Sequence, residues 1–424
     1  MRKITALPLL LLLMLLGCDS NTAATSTPTP LAIDQTEAKV VHAFPSNSPI
    51  LPYFQLSPDG SKLLVYTNKP GNTVLYDLTR NISTTLPLEG SSLDRLSVAF
   101  APDSSAFIYT EDLFIYIQQS DVHLYDIASA KQTNLTGNII NHPVSHNLGE
   151  LAKNTAWRPG WSPDSQTIYY VANSDGSHNE ILSIPRSGGQ SKTVFTYPKA
   201  NEFAISHLSL SRDNKQIIYI YYPSDFQKET DAGIHIVNSD GSGDHQVTKV
   251  VLQTPSDGSP MIVLDDVAPQ LSGKLLLMAP NNGHYATTTL LEPYTDISAG
   301  LTSTLTYLDP LSGRTTTPTP SKSAIRQTYG ATWSPDGKRI AFVTDNPVDP
   351  SKPHHSLWLY EPVSGKYAMV YSNDEPSHFI LNQMQTLTWA GNDTIAVFNG
   401  ADKIQVLQLG PKSAGAGTTP TTQP

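Results

Sequence analysis

Trp333-Ser334-Pro335-Asp336-Gly337 followed by Ile340-Ala341-Phe342-Val343, and Leu56-Ser57-Pro58-Asp59-Gly60 followed by Leu63-Leu64-Val65-Tyr66, decide the fold. Each stretch is an apolar residue, a tight turn and an apolar strand. Proline presets φ for the first central residue, aspartate can cap its own backbone, and glycine accepts the left-handed conformation that closes a short hairpin loop. Asp59, Gly60, Asp336 and Gly337 are therefore read as structural turn residues joining antiparallel strands.

The pattern recurs, weakened, at Phe100-Ala101-Pro102-Asp103, Trp161-Ser162-Pro163-Asp164 and Leu210-Ser211-Arg212-Asp213, and is degenerate at Leu271-Ser272-Gly273-Lys274 and Trp389-Ala390-Gly391-Asn392. That makes seven copies. Asn214 suits the left-handed turn position, whereas Ser104 and Ser165 take it less readily. Third strands follow, among them Val74-Leu75-Tyr76-Asp77, Val122-His123-Leu124-Tyr125-Asp126, Ile234-His235-Ile236-Val237 and Leu357-Trp358-Leu359-Tyr360, with fourth strands such as Thr133-Asn134-Leu135-Thr136. Four strands per unit, repeated, is a propeller blade. The sequence thus predicts an all-β chain: a single β-propeller of seven four-stranded blades over residues 37–409. The last unit lacks a fourth strand, and Lys39-Val40-Val41-His42-Ala43-Phe44 is a strand without a partner. The N-terminal strand is expected to close the seventh blade.

These units resemble the TolB-like propeller repeats, whose other turn signatures look like Asn173-Ser174-Asp175-Gly176 and Asn238-Ser239-Asp240-Gly241-Ser242-Gly243. The resemblance implies an architecture and not an activity. TolB itself carries an α/β domain ahead of its propeller, where this chain has a Ser/Thr/Pro stretch, which puts a Tol-Pal role in doubt. The propellers of prolyl oligopeptidase relatives look similar too, but no G-x-S-x-G occurs here, so peptidase activity is not expected.

Of the 424 residues 39% are hydrophobic and 15% charged, and the net charge is -10. An acidic surface repels phosphate backbones, so nucleic acid is not an expected partner. Cys18 is the one cysteine, which excludes an intrachain disulfide, a cysteine zinc site and haem attachment through C-x-x-C-H. Arg2 and Lys3, then an apolar run from Ala6 to Leu16, read as a signal peptide over residues 1–17, too short to span a bilayer comfortably. Leu15-Leu16-Gly17-Cys18 resembles the bacterial lipobox, which implies lipidation at Cys18 and an exported, membrane-anchored lipoprotein at the cell envelope. Residues 18–36 and 410–424 are rich in Ser, Thr, Pro, Ala and Gly, and are read as a disordered tether and tail.

The first-to-second and third-to-fourth turns stay short, and length variation falls in the other two connection types, which share one end of every blade. Insertions on one face of a repeat protein mark its binding face. That face gathers His142, His146, His284, His354, His355 and His378 with Glu111, Asp112, Asp225, Asp265, Asp266, Asp345 and Asp349. No ligand spacing here is diagnostic of a histidine-carboxylate metal site of the oligogalacturonate lyase type, so none is expected. No cofactor is expected, Asp175-Gly176 and Asp240-Gly241 are read as turns, and Trp161, Trp333 and Trp389 as packing between blades. Two functions follow. The first is a non-catalytic, monomeric scaffold binding a protein, peptide or glycan; the alternative is a metal-assisted lyase or cyclotransferase on the same face.

Overall fold

The computed structural model describes residues 32–45, 53–67, 70–88, 93, 97–111, 120–137, 155–173, 178–200, 205–211, 213–221, 231–253, 261–264, 274–278, 288–291, 304–309, 314–316, 328–345, 355–373, 387–391, 393–398 and 403–412. The architecture is all-β and of propeller type, a succession of small meander sheets. In chain order the strands are β1 (Thr36–Pro45), β2 to β5 (Tyr53–Leu56, Lys62–Tyr66, Val74–Asp77, Ile82–Thr85), β6 to β9 (Ala99–Phe100, Ala106–Thr110, Val122–Asp126, Lys131–Asn134) and β10 to β13 (Ala156–Trp161, Thr167–Ala172, His178–Pro185, Lys192–Ala200). Then come β14 to β18 (Ile205–Leu210, Gln216–Tyr221, Gly233–Asn238, His245–Gln253, Met261–Leu264), β19 to β22 (Lys274–Met278, Thr288–Leu291, Thr304–Asp309, Arg314–Thr316), β23 to β26 (Thr328–Trp333, Ile340–Asp345, His355–Glu361, Lys366–Asn373) and β27 to β29 (Leu387–Ala390, Thr394–Phe398, Lys403–Pro411). Among the described residues these form seven sheets, with β1 the outer strand of the last, in the order β1-β29-β28-β27.

Apolar runs form these strands because both faces of a sheet are covered. In β3, Leu63 and Val65 pack with Ala396, Phe398 and Ile404 of the last sheet, while Leu64 and Tyr66 pack with Phe107 and Tyr109 of the next. The same alternation holds in β11, where Ile168 and Tyr170 face the second sheet and Tyr169 and Val171 the fourth.

The turns between first and second strands share one bonding scheme. Ser57 donates its hydroxyl to Asp59 Oδ1 (2.6 Å), which accepts the Ser61 N–H (2.9 Å), while the Lys62 N–H donates to Ser57 Oγ (2.9 Å). Ser334, Asp336, Lys338 and Arg339 repeat it, as do Ser162, Asp164, Gln166 and Thr167. Gly60 and Gly337 sit at φ 71° and 70°. Ser104 and Ser165 hold the same conformation, at φ 60° and 62°, and their hydroxyls have a use that glycine lacks. Ser104 Oγ accepts the N–H of Asp59 in the preceding sheet (3.0 Å), and Ser165 Oγ accepts that of Asp103 (3.0 Å).

Two expectations need correction. The fourth sheet has five strands, because β17 continues to Gln253 and pairs with β18. The fifth sheet is not an antiparallel meander: its order is β20-β19-β21-β22, with β19 parallel to β21. Leu271-Ser272-Gly273-Lys274 has lost the Pro-Asp pair that builds the hairpin, and the connection from 279 to 303 is long enough for a parallel crossover and supplies β20 itself. The described fold also includes residues on either side of 37–409. Ile33, in a 3-10 turn (Ile33–Gln35), is 2% exposed against the sixth and seventh sheets, and β29 pairs out to Pro411. The reading of residues 1–31 and 413–424, Cys18 included, lies outside the described residues.

Two predictions follow from the turns. Ser104→Ala keeps the left-handed strain and loses the acceptor, so it lowers stability by about 1–3 kcal/mol. Ser104→Gly removes that strain and should fall between wild type and Ser104→Ala in melting temperature; if φ alone mattered, glycine would exceed wild type. The second concerns acid. At Asp59 and Asp336 partial burial works to raise the carboxyl pKa, but donors from the turn (Ser57 and Ser61, Ser334 and Lys338) outweigh it and leave both below the carboxylate range; Asp164, bonded by Ser162 and Gln166, is likewise lowered. A depressed folded pKa stabilises fully above the unfolded value of about 3.9, and that contribution disappears as pH falls through the folded value. Urea midpoints should therefore drop below about pH 4, and Asp336→Asn should shrink that drop.

Candidate functional site

Antiparallel meanders sort the connections by end. First-to-second and third-to-fourth turns, from 57–61 and 78–81 to 334–339 and 362–365, are at most six residues long and lie at one end. The other end carries the stretches between strands 111–121, 135–155, 222–232, 346–354 and 374–386. The described residues include two polar clusters, the first of them buried at that long-connection end.

The first lies where β7 ends and β8 begins. Glu111 Oε1 stands 2.6 Å from His123 Nε2, and both side chains are under 5% exposed. An ionised carboxylate only accepts, so Nε2 carries the hydrogen. Glu111 Oε2 takes the Asp121 N–H (2.8 Å), which ties the two ends of the 112–119 connection together. Asp121, fully buried, accepts from Asn134 Nδ2 (2.6 Å) and Thr136 Oγ1 (2.5 Å), fixing the end of the fourth strand. His123 stacks on Tyr109, its cross-strand partner, with ring centroids 4.9 Å apart.

The second joins the third and fourth sheets. Tyr197 donates to the Asp231 carboxylate, which also takes Lys199 Nζ at 2.7 Å. Tyr197 stacks on Tyr221 (3.9 Å), and Tyr219 donates to Asp244 Oδ1 (2.6 Å). His235, at the strand position His123 holds in the second sheet, stacks on Tyr219 (5.1 Å). Its Nε2 donates to the Asp231 carbonyl (2.8 Å), and Nδ1 lies 3.5 Å from Asp244 Oδ1. Burial, then the bond to a carboxylate, pushes the Tyr197 and Tyr219 hydroxyls far above their usual pKa. Burial also works to raise Asp231, but Lys199 and Tyr197 outweigh it and hold that carboxyl below its usual range.

A carboxylate-held imidazole can orient a general base when it lines a cleft. Here the Glu111–His123 pair is enclosed, whereas in the second cluster His235 is buried but Asp244 and Asp231 are partly exposed. Among the described residues no three His, Cys, Asp or Glu side chains converge as a metal site. His142, His146, His284, His354 and His378 lie outside the described residues. His355 belongs to β25, its backbone opposite Asp345 and Asn373, and so starts a strand at this end rather than sitting in a loop. Glu111, grouped with the loop acids from sequence, is instead an interior residue. His123, Asp121, Tyr197, Asp231 and His235 were not singled out. The available signal was a histidine at the same place in two otherwise apolar third strands, Val122-His123-Leu124 and Ile234-His235-Ile236.

No protein-family model and no curated protein sequence matches the chain. Solved structures do. An oligogalacturonate lyase from Vibrio parahaemolyticus is similar at 10% identity and a TM-score of 0.50, over 88% of this chain and 98% of that one. The Cps50 (Swd1) β-propeller domain of Myceliophteria thermophila is similar at 11% identity and TM-score 0.44, over 88% and 99%. A TolB from Agrobacterium tumefaciens follows at 13% identity and TM-score 0.38, over 89% and 99%. At these identities the likeness is one of fold.

Removing one partner of an enclosed pair leaves the other buried and uncompensated. Glu111→Ala should therefore cost about 3 kcal/mol in urea unfolding, and Glu37→Ala, which breaks the exposed pair with Lys39 (2.9 Å), less than about 1 kcal/mol.

Proposed function

We propose that this chain is a lipid-anchored, extracytoplasmic β-propeller of seven blades, closed by β1 and monomeric, that binds a protein, peptide or glycan at its long-connection end without catalysing a reaction. The observation that carries this reading is the asymmetry between the two ends. Turns of the short end are bonded into the scaffold through Asp59, Asp103, Asp164 and Asp336, whereas chain length is spent at the other end, where a buried polar cluster secures strand termini of the second sheet. Recognition residues concentrate on loops carried by a rigid scaffold. Pairing of β1 with β29, and packing of Phe54 and Leu63 against Ala396 and Phe398, support closure.

The oligogalacturonate lyase likeness keeps a metal-assisted elimination as the second reading, on fold alone. The test takes the full chain and a variant with 346–354 shortened. The shortened protein should keep its melting temperature and lose capture of the envelope protein, peptide or glycan that the full chain retains. Unchanged capture would sink the binding-end assignment. Metal-dependent formation of an unsaturated uronate from oligogalacturonate would sink the non-catalytic one. Cys18→Ala should move the protein from the detergent phase to the aqueous phase or leave an uncleaved precursor, and a processed mutant that partitions as wild type does would exclude the anchor.

A further inference from the structure

The geometry points to a fixed orientation at the membrane: we infer that the anchor draws the short-turn end toward the bilayer and turns the long-connection end away from it. This rests on the lipidation of Cys18 proposed above.

The chain enters the fold at a defined place. Thr36 stands opposite Pro411 at one end of the β1–β29 ladder. At that end the Leu409 N–H donates to the carbonyl of Asp393 (2.7 Å), a residue of the β27–β28 turn, so entry is at the short-turn end. The entry point is secured. Ile33 packs with Ala368 and Val370 of the sixth sheet, the Thr36 hydroxyl donates to Ala32 O (3.0 Å), and Lys412 bonds back through its N–H to Gln35 O (2.8 Å) and its Nζ to Asp34 O (2.8 Å). Ala32, the first described residue, and Lys412, the last, therefore lie together at the short-turn end.

The fourteen residues 19–32 can reach at most about 50 Å, at ~3.6 Å per residue for a fully stretched chain. A nine-residue strand such as β29 is about 30 Å long at ~3.3 Å per residue. To lay the long-connection end on the bilayer, the tether would have to run back along the strands and use most of its reach. That leaves it few conformations, whereas the opposite orientation leaves it nearly all of them. A net charge of -10 adds no attraction between this acidic domain and an anionic leaflet. The ligand of the long-connection end is accordingly one presented from the aqueous side, not a headgroup of the anchoring leaflet.

The chain's single cysteine is consumed by lipidation, so an added cysteine can be labelled alone. Val363 is 96% exposed in the β25–β26 turn, at the short-turn end; Thr85, opposite Val74, ends β5 at the other and is exposed. Full-length Val363→Cys and Thr85→Cys, each carrying an environment-insensitive fluorophore, are reconstituted in phosphatidylcholine vesicles containing nitroxide-headgroup lipid. Quenching should be severalfold greater at 363 than at 85, and equal or reversed quenching overturns the inference. A second arm holds residues 19–424 of the same variants on nickel-chelating vesicles through an N-terminal histidine tag. Preferential quenching at 363 there, with a wild-type Cys18 that still reacts with maleimide, would refute lipidation and uphold the geometry; equal quenching in this arm refutes the geometry itself.

Discussion

Burial on both faces of each sheet is the constraint from which the rest of the structure follows. Leu63 and Val65 need the last sheet, and Leu64 and Tyr66 need the second, so the first sheet has no stable life without both neighbours. A strand covered on one side would alternate apolar and polar residues. These strands instead read as continuous apolar runs, so each sheet needs a neighbour on either side, and residues of the first sheet share a cluster with residues of the last. Pairing of β1 with β29 serves the same demand, since it brings the two ends of the folded chain into one sheet beside the first.

Polar groups inside such a stack survive only where they are bonded, and their distribution tells the two ends apart. At the short-turn end the polar atoms serve the chain's reversals: an aspartate caps the turn, and Ser104 or Ser165 passes a bond to the sheet before it. At the long-connection end of the second sheet the buried carboxylates Glu111 and Asp121 act across strand termini, on Asp121 N–H, Asn134 and Thr136, and so fix where the chain leaves that sheet. One end stiffens the scaffold and the other aims what the scaffold carries.

The part of this that sequence made legible is the part written in local chemistry. Pro58-Asp59-Gly60 and Pro335-Asp336-Gly337 announce a turn because every residue in them has a conformational reason to be there. Ser104 and Ser165 read as weaker copies because φ alone is visible in sequence; their hydroxyls act on another sheet, across a distance that sequence does not encode. The same limit hid the pairing of Glu111 with His123, twelve residues apart yet 2.6 Å in space. In the fifth sheet the local signal itself was missing. With no Pro-Asp pair near Gly273 nothing directs a hairpin, and long-range pairing placed β19 beside β21 in parallel.

Two histidines, His123 and His235, occupy equivalent places in the third strands of the second and fourth sheets. Each stands at an otherwise apolar third-strand position and stacks on the tyrosine across from it, yet the surroundings differ: His123 Nε2 bonds to Glu111, just past the second strand (2.6 Å), whereas His235 bonds through Nε2 to the Asp231 carbonyl and its Nδ1 is 3.5 Å from Asp244, in the turn before the fourth strand. A position that accepts the ring in one geometry and two different acids around it is governed by the stack with tyrosine, and the acid is fitted afterwards. That order of dependence argues that the clusters serve the sheets first.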